Sequence, residues 1–250
     1  MDNNLHYEIL KPPPFLDDFV ESFWYLQNQS DEEKEVVVLP DGRIDLFFSQ
    51  SATLAFHVTL LGIETRPGKA NIAARRTTFA ISFKPLAVEY LFQGSFAHLL
   101  GKTQNMPVDF WNFSADDLHN FEHCCKKAAE KIRLLLPAEI DNRKRKLFDL
   151  IYASNGALSV KQLSEKVFWS SRQINRYFNQ QLGLSLKVYC NILRFRASLQ
   201  HIKEGKLFPE HNFADQSHFI REVKKLSGVS PKELKKNQDD RFIQLSTLDT

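Results

Sequence analysis

Beyond a charge-dense bridge near residue 142 every segment of this chain has helical spacing, whereas strand-like and helical segments both precede it, and that division limits what the whole can fold into. Before it, "EVVVLPDGRIDLFFSQ" sets two apolar runs around Pro40-Asp41-Gly42, where proline fixes φ and glycine accepts a positive one, and reads as strand, turn, strand. "AFHVTLLGIETRPGKA" and "NIAARRTTFAISFKP" add β-branched and aromatic residues broken by Pro67-Gly68 and Pro85, which predicts several more short strands. "AVEYLFQ" and "SFAHLLG" then read as short helices. "SADDLHNFEHCCKKAAEKIRLLL" reads as one long helix capped by Ser114, with acids in its first turn. Pro137 ends it, the charge-dense "AEIDNRKRKL" follows, and beyond this bridge every segment has helical spacing. The expected fold is therefore an α+β N-terminal domain (1–142), an all-α C-terminal domain (143–240) with two helix-turn-helix units joined by a long helix, and a tail (241–250).

Charge divides at the same place. Residues 1–142 hold 13 Lys/Arg against 20 Asp/Glu, a net −7, whereas residues 143–250 hold 20 against 10, a net +10. A basic half attached to an acidic one suggests a polyanion-binding domain joined to something with another task. No apolar run approaches the roughly 18 residues of a membrane span, and the first residues lack the pattern of a signal peptide, so no membrane partner and a cytoplasmic location are expected. Three cysteines, two of them adjacent at Cys124 and Cys125, read as free thiols.

In "LSVKQLSEKVFWSSRQINRYFNQQLG", Val160, Leu163 and Val167 form one apolar stripe and Ile174, Tyr177, Phe178 and Leu182 a second. Phe168-Trp169 between them leave room only for a tight corner. Ser170 with Gln173 fits a capping box, and Gly183 fits the position just past the helix end. The outward face of this second helix (about 171–182) carries Arg172, Gln173, Asn175, Arg176 and Asn179. Arginine can pair two donors with guanine, and Asn or Gln can pair donor and acceptor with adenine, which is the chemistry of major-groove reading.

A similar unit lies about 40 residues further on, in "HNFADQSHFIREVKKLSGVSP". Asp215 can cap a helix over about 215–227, with Phe219, Val223 and Leu226 facing inward, Gly228 stopping it, and Ser230-Pro231-Lys232-Glu233 opening the next. Gln216, Ser217, His218, Arg221 and Lys224 remain for base edges and phosphates. The linking stretch "SLKVYCNILRFRASLQHIKEG" reads as one helix of about 28 Å at ~1.5 Å per residue, near the ~34 Å between successive major-groove entries on one DNA face.

On these residues the second half, about 145–236, resembles the DNA-binding domain of the AraC/XylS-type transcription regulators. "FADQSHFIREVKKLSGVSP" is close to that family's signature, and "LSVKQLSEKV" with "SSRQINRYFNQQLGLS" resembles its first helix-turn-helix. The resemblance implies groove-reading roles for Arg172, Asn175, Arg176 and Asn179, and for Gln216, Ser217, His218 and Arg221, with Phe213, Phe219 and Gly228 structural. Two departures stand out. "KLFPEHNF", with Pro209 and Asn212, replaces the usual full helix ahead of the signature, and Ser185-Leu186 replaces Ser-Pro. Through "LPDGRIDLFFSQ", "LLGIETRP" and "ISFKP" the first half resembles a poorly characterised domain often found ahead of such regions, which implies sensing or oligomerisation.

The leading expectation is a sequence-specific regulator bound to double-stranded promoter DNA, with a small-molecule effector or a homodimer partner for the N-terminal domain and RNA polymerase as a partner if it activates. The alternative is a binding module whose helical half contacts proteins or ligands rather than specific DNA, and a third reading is a small-molecule enzyme in the first domain. Asp41, Arg43, Asp45, Arg66 and Lys84 are read first as turn and ion-pair residues and second as the lining of a pocket. His119, His123 and Cys124 have the spacing of a metal-binding helix face but lack a further ligand set, and three cysteines are too few for a four-cysteine zinc site. With no Gly-x-Ser-x-Gly, Walker loop or dinucleotide fingerprint either, neither a cofactor nor an enzymatic activity is expected.

Overall fold

The structure, a computed structural model, describes residues 4–207, 213 and 215–248. Strands β1 (Leu5–Leu10), β2 (Val20–Asn28), β4 (Ile44–Gln50), β5 (His57–Leu61), β7 (Thr77–Phe83) and β8 (Thr103–Met106) form an antiparallel sheet in the order β1-β2-β7-β4-β5-β8. Strands β3 (Lys34–Val38) and β6 (Gly68–Ile72) pair only with each other, as a separate two-stranded ribbon. The predicted strand, turn, strand around Pro40-Asp41-Gly42 is therefore present but is not a hairpin, because that turn carries the chain from the ribbon into the main sheet.

Register separates the two faces of the main sheet. Phe23 pairs with Ile81, Tyr25 with Phe79, Leu46 with Ile81 and Phe48 with Phe79, and all of these side chains are buried on one face. Phe113 stacks on Phe48 with ring centroids 4.2 Å apart, and Phe121 stacks on Tyr25 at 5.7 Å. Helix α1 (Leu86–Leu91) follows β7, and α2 (Phe121–Leu135) lays Cys124, Cys125, Ala128, Ala129 and Ile132 on this face. Trp24, Leu26, Phe47, Asp45, Thr78 and Ser82 lie in register on the opposite face.

The stretch from Ser114 to Leu136 is not one helix. Ser114 and Asp117 do form a capping box, but over a single 3-10 turn, Ala115–His119, and Asn120 is extended (φ −142°) and caps α2 anew by accepting from the His123 amide. "SFAHLLG" likewise gives only a 3-10 turn, Ala97–Leu99.

The remainder is helical: α3 (Asn142–Ala153), α4 (Val160–Val167), α5 (Ser171–Leu182), α6 (Leu186–Lys203), α7 (Gln216–Ser227), α8 (Pro231–Lys236) and α9 (Ile243–Ser246). Its apolar stripes join those of the sheet region in one continuous core. Tyr189 of α6 donates to the Gly42 carbonyl at 3.2 Å and meets the Tyr152 hydroxyl at 2.8 Å. From the same helix, Arg196 reaches Glu21 and the Asp41 carbonyl, both at 3.0 Å. Arg145 pairs with Asp18 at 2.8 Å, and Lys144 pairs with Glu89. After α8 the chain folds back: the Val37 amide donates to the Arg241 carbonyl at 2.7 Å, and Phe242 and Leu245 are buried. Among the described residues no helix is long and apolar enough to cross a membrane.

Candidate nucleic-acid interface

Helix α4 is capped by the reciprocal Ser159–Gln162 box and ends at Phe168, which takes a left-handed conformation (φ 52°) and is 88% exposed. That left-handed residue turns the chain within three positions into α5, where Ser170 and Gln173 form a second reciprocal box. Ile174, Tyr177, Phe178 and Leu182 are buried, and Phe178 packs on Phe148 and Tyr189 with centroids 5.6 Å away in each case. The opposite face is left to solvent. Arg172 and Arg176 are exposed and form no ion pair among the described residues. Asn179 is exposed and its amide donates to the Asn175 carbonyl at 2.8 Å; half-buried Asn175 donates to the Ser171 carbonyl at 3.0 Å. Gln173 is exposed, but its amide oxygen accepts from the Ser170 amide and hydroxyl at 3.0 and 2.7 Å, so base reading would compete with capping.

Helix α7 repeats the design. Asp215 accepts from the His218 amide at 2.7 Å, Phe219, Val223 and Leu226 are buried, and Gly228 ends the helix at φ 78°. The Ser230–Glu233 box with Pro231 at the first position then opens α8. Gln216, Ser217, Arg221 and Lys224 are exposed and His218 is half-buried beside Phe213, whose ring also meets Phe219 at 5.1 Å. The shortened lead-in expected from "KLFPEHNF", including Pro209 and Asn212, lies mostly outside the described residues; Lys206, Leu207 and Phe213 are its described members. Helix α6 joins the two units with 18 residues, about 27 Å at ~1.5 Å each.

The outer face of the sheet forms a second candidate site. The β3–β6 ribbon and α9 cover it, enclosing a cavity of about 400 Å³. Its apolar walls include Tyr7, Trp24, Leu26, Phe47 and Ile72. Asp41, Arg43 and Asp45 line it, whereas Arg66 is exposed elsewhere and Lys84 donates to the Asp17 carbonyl and sits over the Tyr152 ring. Asp41, Arg43 and Asp45 thus line the pocket, while Asp41 and Arg43 also form the ion pair and turn expected first. Asp41 accepts from the Arg43 Nε at 2.8 Å, and Asp45 accepts from the Ser82 hydroxyl. Burial pushes the Asp45 carboxyl up to about 6, with Arg43 pulling the other way and Asp41 adding to the rise. Arg76, Trp24 and Gln244 also line the cavity and were not singled out from sequence; Arg76 could have been, as a basic residue leading directly into an alternating strand.

His119 and His123 do not share a helix face, because Asn120 breaks the chain between them. His123 instead meets Asp117 at 3.0 Å, and the Cys124 thiol donates to the Asp117 carbonyl. Among the described residues no cluster of three or more His, Cys, Asp or Glu is arranged to hold a metal ion, and Cys124, Cys125 and Cys190 are buried free thiols.

Comparison with known proteins places the sheet first. Residues 8–105 match the family described as a domain of unknown function, DUF6597. The match runs from β1 into β8 and bears out the expectation of a poorly characterised domain ahead of the helical half. The chain therefore joins a region that matches DUF6597 to a helical region that this match does not cover. Among solved structures, a probable AraC family transcriptional regulator from Rhodopseudomonas palustris is similar at 21% identity, over 39% of this chain and 97% of that one, with a TM-score of 0.33. ToxT from Vibrio cholerae is similar at 12% identity, over 94% and 98%, with a TM-score of 0.45. ToxT bound to an unsaturated fatty acid is similar at 14% identity, over 93% and 96%, with a TM-score of 0.39. No curated protein matches the chain.

Proposed function

We propose that the chain is a sequence-specific DNA-binding transcription regulator that lays α5 and α7 into successive major-groove segments of double-stranded promoter DNA. One observation carries this reading: two separately capped helices, each with a buried apolar stripe and an exposed polar face, are tethered by the single helix α6. Arg172, Asn175, Arg176 and Asn179 would read bases from α5. Gln216, Ser217, His218 and Arg221 would do so from α7, with Lys224 on phosphate. Gln173 contributes mainly by capping α5. Because one chain carries both reading helices, a second copy is not needed for two groove contacts.

The cavity supplies the signal in this reading: a small molecule bound between the sheet and the ribbon would act on α6 through Asp41 and α9, which touch both. Contact with RNA polymerase then follows if the protein activates. Enrichment of genomic fragments by the purified full chain tests the proposal. A shared sequence motif should emerge, and affinity for a duplex carrying it should fall steeply with added salt as phosphate contacts are screened. Failure to enrich any sequence rejects specific regulation.

A further inference from the structure

The cavity has a polar end on either side of an apolar waist. Asp45, which accepts from the buried Ser82 hydroxyl, and Glu64 line one end; Trp24, Phe47 and Leu26 form the waist; Thr78 and Arg76, the latter bonded to buried Ser49, line the other end. The ends are separated by four residues along β4, about 13 Å at ~3.3 Å per residue.

The cations of this lining are not equivalent. Arg43 is paired with Asp41, and Lys69 with Glu35 at 3.0 Å. Arg76, half-buried, bonds only neutral hydroxyls: its Nε donates to Thr78 at 3.1 Å and its Nη2 to Ser49 at 3.2 Å. Among the described residues no carboxylate pairs with it, and burial alone pulls its pKa down. A guanidinium bears five N–H donors, so most of this one's donors remain for another acceptor. A cation taken from water and held against hydroxyls is left with much of its charge uncompensated, which an anion in the cavity would correct.

We propose that the cavity binds a small organic monoanion with an apolar or aromatic body, its carboxylate on Arg76 and its body against Trp24, Phe47 and Leu26. The opposite end fixes the charge and the direction. Asp45 and Glu64 repel a second anionic group there and accept an N–H or O–H donor instead. The volume of about 400 Å³ lies within the range of small-molecule sites and suits a ligand of roughly ten to twenty heavy atoms. This inference rests on the reading of the cavity as the signal site, but the ligand chemistry can be tested without DNA.

Calorimetric titration of the full-length protein with phenylbutyrate, phenylbutanol and phenylbutylamine compares three probes that share a body and differ in charge. Phenylbutyrate should bind at least about tenfold more tightly than the alcohol, and the amine most weakly. Arg76→Gln should bring phenylbutyrate down to the affinity of the alcohol and leave the alcohol unchanged, while Arg76→Lys keeps a preference for the acid. Equal affinities, a preference for the amine, or no binding of any probe to the unsubstituted protein overturns the proposal, whatever the variants do. Duplex affinity measured with and without phenylbutyrate separates the two readings. If the acid binds and duplex affinity is unchanged, the ligand class stands and the signalling role falls.

Discussion

Single residues divide by whether their side chains are already committed inside the protein. Arg176 is exposed on α5 with no ion pair among the described residues, so Arg176→Ala should cost about 1–3 kcal/mol of DNA affinity and relax preference at one base position. Lys224→Ala on α7 should weaken all sequences alike and reduce the salt slope by about one. Competitive binding to duplexes substituted one base pair at a time distinguishes them; a uniform loss for Arg176→Ala contradicts its role. Asp45 is committed the other way, as a buried acid whose pKa rises from 3.8 to about 6. A carboxyl with a raised folded pKa binds more protons folded than unfolded, so its ionisation weakens the fold above about pH 6, and stability is regained as pH falls toward 4. Asp45→Asn should therefore raise the melting temperature more at pH 8 than at pH 5, as thermal denaturation across that range would show. Asp117 has the opposite sign: although burial raises it, bonds from Lys127, Ser114 and His123 hold it below 3.8, so its contribution is lost only in stronger acid. The outward arginines of α5 were legible in the sequence because a helix face follows from spacing. Arg76 was visible as a basic residue leading into an alternating strand, but its lack of a carboxylate partner was not, since that depends on strands brought together from residues far apart.

Elements were legible in proportion to how locally they are specified. The boxes Ser159–Gln162, Ser170–Gln173 and Ser230–Glu233 involve residues three apart, and of these the last two were read from sequence together with Gly183 and Gly228. The break at Asn120 was missed because the stretch on either side keeps helical spacing, and the sheet, through Tyr25, Phe79 and Phe121, sets the angle at which α2 must start. The pairing of β3 with β6 rather than β4 was missed for the same reason, as a turn signal does not name the strand's partner. The two glycine caps give a graded test. Both have positive φ, 75° and 78°, so either Gly→Ala change meets the left-handed penalty of roughly 1–2 kcal/mol. A Cβ on Gly183 would also lie 2.8 Å from the Ala97 carbonyl oxygen, whereas one on Gly228 meets nothing nearer than Pro67 at 3.6 Å. Urea denaturation should show Gly183→Ala to be clearly the more destabilising; equal losses would mean that the Ala97–Leu99 turn yields without cost.

For the whole molecule, the informative feature is that the chain's last described segment closes the cavity formed by its first. Gln244 donates to the Leu39 carbonyl at 2.9 Å and accepts from the Leu39 amide at 2.8 Å, satisfying both backbone groups of a buried residue just past β3. One residue on, the Leu245 carbonyl accepts from Lys203 at the end of α6. The same few residues therefore hold the ribbon over the cavity and the end of the helix that lies between α5 and α7 in the chain. Removing the amide leaves two buried backbone groups without partners, at about 1–3 kcal/mol each if no water replaces them. Such a loss should appear first as local opening rather than global unfolding, because β2, β7 and β4 keep their ladders and their core. Gln244→Ala should thus speed amide hydrogen exchange in residues 34–39 and in the last turn of α6, around 199–203, while leaving β2 and β7 protected. Faster exchange in the ribbon alone would show that the cavity lid and the linker helix open independently, and control of DNA reading by the cavity would then have to run through the Tyr189 and Arg196 contacts at Gly42 and Asp41.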